Sequence, residues 1–148
     1  MGNTLFGGSS NSRLFLNVRE KLSLCYFASS TYHRQKGIIT VSSGIEFENF
    51  QKAYDEILLQ LQEVAAGRLE DWELSGARSV LLNAYAAMGD SQGSLENFYL
   101  GQAATGQEET PEILARAVRE VPAKRIFQAM ETVCLDTVYF LKGKEDAQ

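Results

Sequence analysis

The residues able to do chemistry are few, and the first to weigh is His33, the only histidine of the chain. A catalytic zinc needs about three His, Cys, Asp or Glu ligands on converging elements. Neither His-x-x-Glu-His nor Cys-x-x-Cys occurs, so no complete hydrolytic zinc site is expected within these residues. His33 stands before Arg34-Gln35-Lys36 and reads as a solvated residue of a hairpin turn. An activated serine or cysteine requires a base and an orienting partner, and a histidine in a polar turn is a poor base. Cys25 would gain thiolate character only with Arg19 or Lys21 close by; otherwise it is a small, buried, apolar side chain beside a strand. Cys25 and Cys134 lie far apart and are expected to be reduced thiols.

Two further groupings remain. Gly7-Gly8-Ser9-Ser10 precedes a helical pattern, where backbone N–H groups can cradle an anion, but it lacks the Lys-Ser/Thr of a phosphate loop. A flexible turn is the expectation there. Arg19 and Tyr26 fall near the end of the first helical pattern and the start of the first strand pattern, so both can face one corner. An arginine fork can hold a peptide carbonyl, and a phenol can donate to the oxyanion of a tetrahedral intermediate. On spacing alone, an exposed arginine and a half-buried strand tyrosine explain the same letters.

The elements that must position these residues follow from periodicity. Arg13 to Leu22, with apolar residues at 14, 15, 18 and 22, predicts an amphipathic helix with a serine cap. Tyr26–Thr31 and Gly37–Ile45 are rich in β-branched and aromatic residues and predict an antiparallel hairpin. From Glu48, Phe50, Tyr54, Ile57, Leu58, Leu61, Val64 and Ala65 keep a helical period until Gly67. Further helices are expected over Asp71–Met88 and Ser91–Ala104. Another opens at Thr110-Pro111, where threonine caps and proline takes the first turn, and a short one runs from Val121-Pro122 to about Thr132. Thr137–Leu141 has the composition of a closing strand. The fold class is therefore α+β, with helices packed on one face of a small, mainly antiparallel sheet. Such a sheet is thin for so many helices, so strands are expected to be missing from it.

Composition bounds the function. A chain of 148 residues, 45% hydrophobic and 22% charged, suits one domain with its own core, residues 1–148. Its 14 Lys+Arg against 19 Asp+Glu give a net charge of -5, which offers no field to hold nucleic acid. No apolar run approaches the ~20 residues of a membrane span, and Met1 does not open a signal peptide. No membrane partner and a cytoplasmic location are the resulting expectations.

The string from Leu5 to Tyr26, Leu-Phe-Gly-Gly-Ser-Ser-Asn-Ser-Arg-Leu-Phe-Leu-Asn-Val-Arg-Glu-Lys-Leu-Ser-Leu-Cys-Tyr, resembles the insulinase/pitrilysin family of zinc peptidases, which includes mitochondrial processing peptidase. Members carry Gly-Gly, then Ser-Arg-Leu-Phe, then Arg-Glu-Lys, an apolar residue and tyrosine in their C-terminal-type domains. The segment near Gly44, the long helix to Gly67 and Trp72-Glu73-Leu74 look similar too, and the likeness fades after about residue 100. The resemblance implies a processing-peptidase/LuxS-like metallohydrolase fold, lacking its first strands and truncated at its N-terminus. It further implies a peptide substrate enclosed between two or more such domains, with zinc on an N-terminal-type partner domain and no cofactor in this chain. Arg19 and Tyr26 become auxiliary catalytic and substrate-binding residues, touching the peptide backbone and the developing oxyanion. Ser23-Leu24-Cys25 departs from the family, which often has a glycine and small residues there. The parent is then a zinc endopeptidase, or a degenerate member that pairs with an active homologue as a binding or scaffold subunit. An unrelated α+β interaction module is the reading without the resemblance. An uncovered sheet edge would favour homo-oligomers.

Overall fold

The computed structural model describes residues 1–143. It begins with a short helix that the sequence pattern did not predict, α1 (Gly2–Phe6), which buries Thr4, Leu5 and Phe6. Five residues are too few to display a 3.6-residue period, so α1 is visible only through its packing. Gly7 and Gly8 end it by bonding both their N–H groups to the carbonyl of Asn3, at 2.9 and 2.8 Å.

Leu14–Lys21 is helical as expected, but it winds as a π-helix. The Leu22 N–H reaches back to the Asn17 carbonyl at 3.0 Å. The expected serine cap is absent: Arg13 takes the cap position without a side-chain bond. Ser12 is instead fully buried, and its hydroxyl has no partner among the described residues. The wider winding turns Leu14 and Val18 into the core and leaves Leu22 exposed.

The hairpin forms as β1 (Phe27–His33) and β2 (Ile38–Gly44), antiparallel, with Phe27 opposite Gly44 and Ser30 opposite Val41. Gly37 takes a left-handed conformation in the turn, at φ +64°, which a side chain rarely adopts. Strand alternation puts Ala28, Ser30, Ile39 and Val41 on one face. Ala28 and Ser30 are buried there, and Ile39 and Val41 pack against the core. Phe27 and Ile38 stay half exposed on the other face.

A 3-10 turn at Phe47–Asn49 leads into α2 (Phe50–Ala65), and Gly67 at φ +69° stops the helix. α3 (Asp71–Ala87) opens with a reciprocal capping box between Glu70 and Glu73. α4 (Gln92–Thr105) is capped by Ser91 and ends at left-handed Gly106. α5 (Pro111–Glu120) is capped by Thr110, and α6 (Ala123–Glu131) follows Pro122. The core joins Leu5, Phe6, Leu14, Val18, Ala28, Val64, Ala77, Ile126 and Met130. Helices therefore pack on one face of a small antiparallel sheet, the expected α+β arrangement.

The closing strand Thr137–Leu141 is not formed; these residues belong to no sheet among the described residues. A strand is stabilised by a neighbour's backbone groups, and this segment pairs with neither β1 nor β2. Phe140 holds it instead, tilted against the Phe50 ring with centroids 4.3 Å apart and stacked on Phe47 at 5.9 Å. Tyr139 and Leu141 are 82% and 78% exposed. No described helix is long and apolar enough to cross a membrane.

Candidate peptide-contact site

Arg19 and Tyr26 meet as the spacing allowed. The π-helix carries Arg19 to the point where the chain turns into β1, and its Nε donates to the Tyr26 carbonyl at 3.0 Å. The guanidinium also lies over the Phe15 ring, 4.7 Å from its centroid, with Glu20 3.4 Å from one terminal nitrogen. An arginine has five N–H donors, so this fork retains donors after its bond to Tyr26. The Tyr26 N–H is in turn fixed to the Gly44 carbonyl at 2.7 Å. Both backbone ends of Tyr26 are thus held while the residue stays 66% exposed.

The hydroxyl of Tyr26 donates to the carboxylate of Glu46. That bond and the adjacent negative charge push the phenol above its ordinary pKa. Sequence reasoning missed Glu46. The only available signal was the hairpin register, which places Gly44 opposite Phe27 and so brings residue 46 near residue 26.

Arg19, Phe15 and Phe27 line a groove of about 390 Å³ together with Gly7–Ser10 and Ala28–Ser30. The groove follows the outer edge of β1. Gly7 is required there by close approach: a Cβ would sit 2.7 Å from the Ser30 backbone nitrogen, which donates to the Gly7 carbonyl at 2.8 Å. Asn3 adds a bond from Nδ2 to the Ser30 carbonyl at 3.3 Å. The turn is fastened to the sheet, which corrects the expectation of a flexible segment.

Farther back, Arg13 anchors this corner. Its guanidinium donates to the Glu73 carboxylate at 2.7 Å and to the Arg68 carbonyl at 2.6 Å. Glu73 is buried and also accepts the Glu70 N–H at 2.8 Å. On its other side the π-helix is tied by Asn17, whose amide donates to buried Gln60 at 2.8 Å.

The other candidates do not assemble into a site. His33 ends β1 on the surface. Burial raises the Cys25 thiol pKa more than Ser43 and Arg19 lower it, which works against thiolate character there. Both cysteines are free. No group of three or more His, Cys, Asp or Glu among the described residues could hold a metal ion. A second groove of about 270 Å³ between α3, α4 and α5, lined by Leu82, Tyr85, Leu95, Tyr99 and Arg119, contains no nucleophile–base pair.

Residues 1–81 match the family model described as the peptidase M16 inactive domain. The chain is 39% identical over 145 residues to a "Probable inactive metalloprotease YmfF" of Bacillus subtilis (strain 168), covering 98% of this chain and 34% of that protein. Its fold is similar to the crystal structure of a conserved protein from Enterococcus faecalis V583, at a TM-score of 0.78 and 30% identity, covering 88% of this chain and 31% of the other. The chain thus spans about a third of the length of these relatives. The matched region includes the Gly-Gly turn, the π-helix with Arg19, the hairpin with Tyr26 and the Glu73 capping box, and on that basis the chain belongs to the peptidase M16 family.

Proposed function

We propose that this chain is a peptide-binding domain that performs no hydrolysis itself and holds an extended peptide by its backbone through Arg19 and Tyr26. The observation that carries this reading is their convergence: Arg19 Nε bonds to the Tyr26 carbonyl at 3.0 Å beside a groove along the outer edge of β1. A neutral peptide backbone matches the spare donors of the Arg19 fork and needs no metal. Within a longer M16 protein, the peptide would lie between this domain and a homologous domain of the same or a partner chain. The inactive-domain family match and the relative named as a probable inactive metalloprotease support a non-catalytic binding or pairing role.

Fluorescence anisotropy with a labelled, unstructured ten-residue peptide of alanine, serine and valine tests this reading. Arg19→Ala is expected to weaken binding about tenfold and Tyr26→Phe severalfold, the scale of one or two hydrogen bonds. Equal binding by wild type and both variants contradicts it. The alternative is a zinc endopeptidase, in which a partner domain supplies zinc and these residues act on the oxyanion; the family match is what favours it. Zinc content and chelator-sensitive cleavage by the full-length parent separate the two.

A further inference from the structure

We propose that Glu46 is a latch on Tyr26, an acceptor belonging to the protein that occupies the phenol's only proton until a peptide carbonyl displaces it. This inference rests on the peptide-contact reading and specifies how that site is regulated. A tyrosine hydroxyl has one hydrogen to donate, and here it points to the Glu46 carboxylate. Hydrogen bonds to a carboxylate are roughly twice as strong as those between neutral groups, so a neutral peptide carbonyl competes at a disadvantage for the same donor.

The surroundings give the latch a fixed frame. Tyr26 is held at its N–H by Gly44 and at its carbonyl by Arg19, leaving only its side chain free to redirect the hydroxyl. Glu46 stands in extended conformation just before the 3-10 turn that starts at Phe47. The Phe47 ring is covered on one side by Phe140, with centroids 5.9 Å apart, and carries the Lys142 ammonium 4.7 Å from its centroid. Phe47 still remains 56% exposed, and the contact that must break on ligand binding is the hydroxyl–carboxylate bond. Arg19 is unaffected by this exchange, since its bond to Tyr26 is to the main chain. The site would thus bind first through Arg19 and gain the Tyr26 bond only when Glu46 releases it.

Two measurements on the 148-residue chain test the latch. The first is the anisotropy assay with the same alanine, serine and valine peptide on Glu46→Ala, Tyr26→Phe and the double variant. Glu46→Ala is expected to bind roughly threefold to tenfold more tightly, the difference between a charged and a neutral acceptor, and the gain should vanish in the double variant. The second is ring-carbon NMR of labelled tyrosine, with Tyr26 assigned by its loss in Tyr26→Phe. Its ionisation should lie above the ordinary tyrosine range in wild type and fall in Glu46→Ala. Unchanged ionisation, or a gain in affinity that persists without the Tyr26 hydroxyl, overturns the latch while leaving the peptide reading intact. If ionisation shifts but Arg19→Ala and Tyr26→Phe both bind as wild type, the peptide reading fails and the latch fails with it.

Discussion

Chemistry at the residue scale depends on which side chains are left free. Cys25 sits close enough to Arg19 for the charge to act on it, yet burial dominates and raises its thiol. Cys134 is exposed. Titration with a thiol-specific chromogenic disulfide near neutral pH should give one fast thiol, lost in Cys134→Ser, and one slow thiol, lost in Cys25→Ser. Fast reaction at Cys25 would contradict that effect of burial. That Arg19 and Tyr26 can face one corner was legible from their positions near the end of the first helix and the start of the first strand. The engagement of Tyr26 by Glu46 was not, since residues 26 and 46 are brought together only by strand register. Arg13 was legible as a letter of the Ser-Arg-Leu-Phe motif, but its partner lies in the cap of a distant helix.

Among the elements, the helices were readable wherever caps and periodicity agree. Thr110-Pro111, Ser91 and Gly67 mark real termini. The π winding of residues 14–21 was not readable, because Leu14 and Val18 also fit an α-helical period. The Arg13–Glu73 pair ties the N-terminal end of this element to α3, with side chains 16% and 5% exposed. Removing one partner of a buried ion pair leaves the other unpaired, at a cost of about 3 kcal/mol. Arg13→Met should therefore lose about that much stability in urea denaturation. Arg13→Met with Glu73→Leu should recover part of it, short of about 1 kcal/mol for the capping box. A single variant as stable as wild type would show that the pair does not anchor the element. The segment 137–141 marks the opposite limit: its composition suits a strand, but composition supplies no pairing partner, and Phe140 docks on Phe47 and Phe50 instead.

For the whole molecule, the α+β class and the family were legible because hydrophobic period and one dense motif cover most of the chain. The groove was not, since Gly7–Ser10, Arg19 and Ala28–Ser30 come from three separate elements. In the proposed function this groove, and not the one between α3, α4 and α5, receives a peptide. The most direct test is a map of backbone amide shifts of the 15N-labelled chain titrated with the alanine, serine and valine peptide. Changes are expected to concentrate at residues 7–10, 19 and 26–30. Changes confined to the groove of Leu82, Tyr85, Leu95 and Tyr99, or none at saturating peptide, would contradict the proposed function.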